Sequence, residues 1–427
     1  MHAEQLIRAV ENGAMNDAIV SLSGKEALEY QKSRYLTVIR EFAALYGGDR
    51  EITLYSVSGR SELSGNHTDH NHGCVIAASI DLDVIAAVSP RDDGVIRVKS
   101  EGFPEDVVDI AQWTAPDASR FGSSASLIAG MAEGFRRKGY AVGGFDAYTT
   151  SNVLKGSGLS SSAAFEDMIG NILNHLYNGG KVSNVEIAKL AQFSENVFFG
   201  KPCGLMDQVA CAVGGIVAID FCDTSSPVIE KIDFDLSAEG YRLCIVNTGG
   251  NHADLTDDYA AVPREMKAVA SYFGKTVLRE CDEEEVIRAI PALRRTCGDR
   301  AVLRALHFFG ENKRVSDQKE ALKAGDLDRY FDFVKASGRS SFCYLQNVYT
   351  TKNVSEQGLS LALCLAENYL ADKKAAFRVH GGGFAGTIQA YVPTADVEGF
   401  RALMDAAFGD GACVVLRIRP RGAVRML

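Results

Sequence analysis

Residues 154–166 read Leu154-Lys155-Gly156-Ser157-Gly158-Leu159-Ser160-Ser161-Ser162-Ala163-Ala164-Phe165-Glu166. Two glycines bracket a serine, and three serines then run into a helical pattern. Gly156 and Gly158 let backbone N–H groups approach an anion with no side chain in the way. Ser160, Ser161 and Ser162 add hydroxyls. The helix they open adds its orphan N–H groups and the positive end of its dipole. Phe165, Ile169, Ile172 and Leu176 recur at helical spacing, and Asn178-Gly179-Gly180 ends the run. The stretch reads as a phosphate cradle; a polar loop capping an ordinary helix is the alternative. A Walker A loop is excluded, because no Gly-Lys-Ser/Thr follows the glycines. Gly274-Lys275-Thr276 does not supply one, since Val269 stands where the first loop glycine belongs. Ser161 stands where a dinucleotide fingerprint needs its third glycine.

Around this loop the chain alternates strand and helix signals. Residues 1–46 read as helical, with an apolar stripe of Leu28, Leu36, Ile39, Phe42 and Leu45 ending at Gly47-Gly48. Strands are expected at 52–57, 74–78, 83–89 and 95–100, a helix near 124–138, and a strand at 145–150 leading into the glycine loop. A second helix is expected over 184–199, then strands at 216–221 and 241–247. The region 258–376 reads as mostly helical, with strands again at 377–380 and 387–392. The expected division is a helical N-terminal extension over 1–48, one domain over 49–220 and a second over 221–427.

The 427 residues carry a formal charge of −10, with basic residues gathering only near the C-terminus at Arg417, Arg419, Arg421 and Arg425. Nucleic acid and anionic membranes are poor partners for such a chain. Ten cysteines are scattered with no C-x-x-C pair, which argues for free thiols in a reducing compartment. The first residues lack the apolar core of a secretion signal, and no apolar run reaches the roughly 18 residues of a membrane span. A cytoplasmic protein acting on small molecules is expected.

Three further clusters carry chemistry. Residues 59–73 read Gly-Arg-Ser-Glu-Leu-Ser-Gly-Asn-His-Thr-Asp-His-Asn-His-Gly, packing short two-sided hydrogen-bonding groups between glycines after a strand. That suits a hydroxyl-rich ligand; a solvated turn is the plainer alternative. A metal site on His67, His70 and His72 lacks helical spacing and Cys or carboxylate partners. Glu195 follows Ser194 on a helix, and Asp207 sits in Gly204-Leu205-Met206-Asp207-Gln208, where apolar neighbours desolvate it. Such a carboxylate suits a base or an orienter. Finally, Gly381-Gly382-Gly383-Phe384-Ala385-Gly386 lies between two strands, with more glycines than a tight hairpin requires.

Together these clusters resemble the galactokinases, within the superfamily of galacto-, homoserine, mevalonate and phosphomevalonate kinases. Residues 59–71 are similar to that family's Gly-Arg-Val-Asn-Leu-Ile-Gly-Glu-His-Thr-Asp-Tyr-Asn signature. Residues 154–163 match its glycine loop, 204–208 its Gly-x-Met-Asp-Gln, and 381–386 its Gly-Gly-Gly-Phe-Gly-Gly. Order and spacing are kept over residues 50–427, and about the first 25 residues extend beyond the family's usual start. The resemblance implies an α+β, two-domain fold of mixed sheets covered by helices, with the active site in the cleft between domains. It implies an ATP-dependent kinase acting on the anomeric C1 hydroxyl of a galactose-type sugar, with Mg²⁺ as cofactor and a monomer as the expected state. By the same resemblance Asp207 orients or deprotonates that hydroxyl and Arg60 pairs with it. Ser162 and Glu195 hold Mg²⁺. Gly156, Ser157, Gly158, Ser160, Ser161 and Ser162 wrap the phosphates. Asn66, His67, Asp69, Gly204 and Tyr259 contact the sugar.

The departures fall mostly in the sugar signature. Asn66 replaces the family's Glu, which accepts a hydrogen bond from the C6 hydroxyl; His70 replaces Tyr and His72 replaces Gly. Elsewhere Leu154 replaces Pro and Ala385 replaces Gly. Losing a negative charge at residue 66 makes a C6 carboxylate more tolerable. Galacturonate or an N-acetylated galactose is therefore an alternative substrate, and a non-catalytic sugar sensor an alternative function.

Overall fold

The computed structural model describes residues 1–153, 158–250 and 255–426. Two sheets organise it. The larger contains β1 (Thr53–Ser64), β2 (Cys74–Arg91), β3 (Val95–Ser100), β4 (Glu105–Asp109), β5 (Gly144–Ser151), β6 (Ile216–Asp220) and β7 (Val228–Ile232). The smaller contains β8 (Tyr241–Asn247), β9 (Ala376–His380), β10 (Thr387–Pro393) and β11 (Cys413–Leu416); β12 (Val424–Arg425) returns to the larger. The larger sheet runs β12-β1-β2-β5-β3-β4, with β6 on β2 and β7 on β6, and only β3 and β5 lie parallel. The smaller runs β11-β8-β10-β9, all antiparallel.

The two strands expected at 74–78 and 83–89 are one long strand. Neither Gly nor Pro interrupts residues 74–89, and β2 changes partner rather than direction. Cys74–Ala78 pairs with β6, and Val84–Arg91 pairs with β5. The buried Asp83 midway is satisfied by Arg34, Arg419 and Ser56, so the strand passes through the core without an orphaned charge. Its backbone N–H and C=O both bond Asn152 (2.7 and 3.2 Å), at the entry to the glycine loop.

Helices cover both faces of this sheet. On one lie α1 (Ala3–Glu11), α2 (Asn16–Ser23) and α3 (Leu28–Tyr46). Leu6, Val38, Ile39 and Phe42 meet Leu54, Ile85 and Ala87 there. Burying a side chain such as Phe42 contributes roughly 1.5–3 kcal/mol, so these helices are a structural layer. Leu45, expected in the stripe, is exposed. On the other face lie α4 (Ser124–Arg137), α5 (Ser161–Tyr177), α6 (Asn184–Phe193) and α7 (Met206–Val213). Ile128, Phe135, Ile169 and Ile172 fill that core, which runs on through Leu243, Ile245 and Tyr391 of the smaller sheet.

The sheets do not follow the expected division after residue 220. β7 and the C-terminal β12 both belong to the larger sheet. β4 went unread because its Glu-Asp-Val-Val-Asp segment is an acidic edge strand with one buried residue. Among the described residues no helix is long and apolar enough to cross a membrane.

Candidate active site

Arg60 is the one residue of β1 that keeps partial exposure. The β1–β2 register shifts between Ser58 and Arg60, and this bulge re-aims the side chain. Gly59 at the bulge touches the glycine loop backbone: a Cβ there would come to 2.9 Å from the Leu159 carbonyl. Arg60 N–H donates to that carbonyl (3.0 Å), and its Nη1 donates to the Gly158 carbonyl.

The same guanidinium grips Asp207, in the first turn of α7. Nε donates to Oδ1 at 2.8 Å and Nη2 to Oδ2 at 2.6 Å, a fork-to-fork pair. Ser160 Oγ donates to Oδ2 at 2.8 Å. Burial would push the Asp207 carboxyl up; the Arg60 charge and these hydrogen bonds outweigh it and hold the group below its ordinary value. The carboxylate stays 30% exposed, so a ligand hydroxyl can reach it.

Gly156 and Ser157 lie outside the described residues. Gly158 sits at φ +71°, where a Cβ would press on His380 at 3.2 Å, so the loop needs glycine here. Ser160, expected among the phosphate contacts, instead commits its hydroxyl to Asp207. Ser161 and Ser162 open α5 and line a cavity of about 700 Å³ with Leu127, Phe103, Phe165 and Phe199. A helix N-terminus facing an apolar-walled cavity suits a phosphate-bearing ligand with a flat ring.

Glu195 does not lie on the continuous helix expected over 184–199. Regular helix stops at Phe193, and a π-helical turn, Ser194–Phe199, carries Glu195 inward. Its side chain is 4% exposed; Oε1 pairs with Lys201 Nζ at 3.0 Å and Oε2 accepts from Gln208 Nε2 at 2.9 Å. Gln208 Nε2 also reaches Glu166 Oε2 at 3.3 Å. Burial, and then the Glu195 charge, push the Glu166 carboxyl well up. Lys201 and Glu166 went unread in the sequence. The visible signal for Lys201 was a cation six residues after Glu195, between Gly200 and Pro202.

The sugar-signature residues meet the Gly381–Gly386 loop. His67 Nε2 contacts the Gly382 carbonyl at 2.9 Å; a carbonyl only accepts, so Nε2 carries the proton. Burial pushes the imidazole down to about 4, leaving Nδ1 an acceptor. Asp69 lies against Gly204, where a Cβ would stand 3.0 Å from its Oδ2. Tyr259 donates to the Gly383 carbonyl at 2.8 Å and meets Phe384 edge-on. A Cβ on Gly382 would strike Tyr259 at 2.5 Å, and one on Gly383 would strike the Asn347 carbonyl at 2.0 Å. These close approaches account for the glycines a hairpin would not need.

Asn66 is placed differently from expectation. It is fully buried. Its Nδ2 donates to the Gly381 carbonyl at 2.6 Å, and its Oδ1 accepts from Asn347 (2.8 Å) and Ser341 (3.3 Å). The amide is consumed within the protein and braces the glycine loop instead of facing a ligand. Behind it, Arg378 pairs with Glu62 and, at 3.7 Å, with Glu311; Arg314 binds Glu311 at 2.7 Å, and Glu311 accepts the Gly65 N–H at 3.3 Å.

Burial would raise the Glu311 carboxyl; Arg314, His307 and Arg378 overcome this and bring it to about 2. A folded value below the ordinary 4.5 means its stabilisation is complete above pH 4.5 and fades as pH falls toward 2. Glu62, raised by burial, has the opposite slope. Urea unfolding of wild type and Glu311→Gln at several values between pH 6 and 3 isolates the Glu311 contribution. The stability gap should narrow as pH falls.

A galactokinase from Streptomyces coelicolor is 32% identical over 378 residues, covering 87% of this chain and 92% of that protein. The chain belongs to the galactokinase family. A galactokinase galactose-binding signature matches residues 40–90 of this family member, and a GHMP kinase N-terminal domain matches 126–215. Those spans contain Arg60, Asn66, His67 and Asp69, and Ser160–Ser162, Glu195 and Asp207, respectively. The Lactococcus lactis galactokinase, solved with galactose, superposes with a TM-score of 0.73 at 25% identity, covering 90% of this chain and 98% of that one. A mevalonate kinase shares the fold at TM-score 0.61 and 14% identity, covering 86% and 98%. This galactokinase-family chain is a kinase, with the fold of mixed sheets covered by helices that the resemblance implied.

Proposed function

We propose that the protein transfers the γ-phosphoryl group of ATP to the anomeric C1 hydroxyl of galactose or a close neutral relative, releasing ADP and sugar 1-phosphate. The observation carrying this reading is the Arg60–Asp207 fork locked to the glycine loop by Ser160 and Gly158. It ties a hydroxyl-accepting carboxylate to the loop that would cradle phosphates. Phosphoryl transfer depends mainly on positioning and charge stabilisation, and a rigid fork supplies both.

Asp207 Oδ1 accepts one hydrogen bond from Arg60 and keeps lone-pair capacity for the C1 hydroxyl. Its depressed pKa makes it a weak base at rest, so it aligns the hydroxyl first and takes the proton as the O–P bond forms. Arg60 stays cationic beside it and steadies the charge that develops. His67 Nδ1 and the Asp69 carboxylate both accept, which suits the hydroxyls of a neutral sugar. With the Asn66 amide already bonded within the protein, nothing at residue 66 invites a C6 carboxylate, and Asp69 opposes one.

Among the described residues no group of three or more His, Cys, Asp or Glu could hold a metal ion. A Glu195 oxygen and the Ser162 hydroxyl are hard donors, and Mg²⁺ takes few protein ligands, completing its shell with phosphate and water. The residues therefore fit Mg²⁺, which when bound would neutralise phosphate charge. All ten cysteines are free, supporting a reducing, cytoplasmic setting.

The test is an ADP-release assay over neutral hexoses, N-acetylated hexosamines and hexuronic acids. Galactose-dependent turnover, with hexuronic acids at least tenfold weaker in kcat/KM, is expected. No turnover with any sugar would leave the sensor reading standing.

A further inference from the structure

Lys201 pairs with Glu195 at the edge of the proposed transfer site. Its backbone is pinned: its N–H donates to the Glu195 carbonyl at 3.1 Å, and the following Cys203 is held by Asn196 at 2.6 Å and Gln192 at 3.2 Å. Its side chain is 63% exposed, while the Glu195 carboxylate it grips is 4% exposed. A carboxylate so buried needs a partner, and Lys201 supplies one. The ammonium also lies near enough to Asp207 for the two charges to stabilise each other. Asp207 is in turn bonded to Ser160 at 2.8 Å, where the glycine loop enters α5. The lysine thus stands at the corner where metal-binding oxygens, acceptor carboxylate and phosphate loop meet.

We propose that Lys201 is a mobile resident cation of the transfer site, paired with Glu195 when the site is empty and passed to a nucleotide phosphate oxygen on loading. The inference rests on the ATP-kinase reading and deepens it. Phosphate oxygens compete with Glu195 for the ammonium even without metal, and a metal ion taking the Glu195 oxygen would complete the transfer. Three rotatable N–H donors on a long stem suit this exchange. The positive charge then remains at the site throughout, and only its partner changes.

The test measures binding of ATP and of adenosine in EDTA, by calorimetry, so that no metal contributes. Lys201→Met should weaken metal-free ATP about tenfold, as expected for one charge-assisted hydrogen bond, and leave adenosine unchanged. Lys201→Arg should retain most of the ATP affinity. Glu195→Gln should tighten metal-free ATP, because its competitor for Lys201 is gone, and this gain should vanish in the Lys201→Met background. Equal loss of ATP and adenosine would mark Lys201 as structural and overturn the proposal. So would unchanged ATP affinity, or a wild type that binds ATP only with magnesium. A wild type that binds no ATP even with magnesium would instead remove the nucleotide reading itself.

Discussion

Asp207→Asn is expected to lower kcat and kcat/KM together by about 10²–10⁴, with the fold intact. Asn keeps the shape of the side chain and loses its charge. One of its two terminal atoms becomes a donor, and in either orientation that atom faces an Arg60 N–H with the wrong polarity. Arg60 still holds the Gly158 carbonyl, so the loop stays attached. The sugar hydroxyl loses its anionic acceptor, and that loss is felt most where the proton leaves. Steady-state kinetics beside a thermal melt checks this. A variant keeping more than about a tenth of wild-type kcat would remove Asp207 from the chemistry, since positioned acid–base groups contribute at least about 10²-fold.

Arg378→Met is expected to be the most destabilising single change in the polar core. Arg378 is fully buried, bonded to Glu62 and Ser337 and 3.7 Å from Glu311. Removing one partner of a buried ion network typically costs 3–5 kcal/mol, because the remaining charges are left uncompensated. Among the described residues Glu62 has no other cation at salt-bridge distance, whereas Glu311 keeps Arg314. Adding Glu62→Gln to Arg378→Met should therefore recover part of the loss, and adding Glu311→Gln should recover less. Urea unfolding of the three variants measures both. A loss below about 1 kcal/mol, the size of an ordinary surface pair, would show that water compensates the carboxylates.

The glycine loop was legible because its physics is local. A Gly-x-Gly followed by three serines and a helical stripe limits what the backbone can do, whatever surrounds it. The Arg60–Asp207 pair spans 147 residues, and only the resemblance joined them. Residue types alone placed an acidic group among apolar neighbours and stopped there. The bulge at Gly59 that aims Arg60, and the π-helical turn that turns Glu195 inward, depend on register and packing that no residue pattern states. Asn66 shows the opposite failure. Its place in the signature pointed to the sugar, yet the side chain turns toward Gly381 and Asn347 because the C-terminal half supplies acceptor and donor there. The merging of two expected strands into β2 has a similar cause: Arg34 and Arg419, distant in sequence, meet the buried Asp83, so the strand runs on through a charge.

That meeting at Asp83 sets the order in which the protein can be built. Met1 closes on the Ile52 carbonyl, Met426 on the Leu54 carbonyl, and β12 on β1. On a ribosome, synthesis runs one way, so every residue of the glycine loop, Glu195 and Asp207 leaves the exit tunnel long before Arg419 exists. Until it does, Asp83 has half of its counter-charge and β1 has an open edge, the kind of exposure that invites association with other nascent chains. Native pairing of such distant segments is slow to form. Completion of the half that carries the candidate site therefore waits on residues 419–425, and a chain ending before Arg419 would contain every candidate active-site residue and lack the strand and charge that hold them.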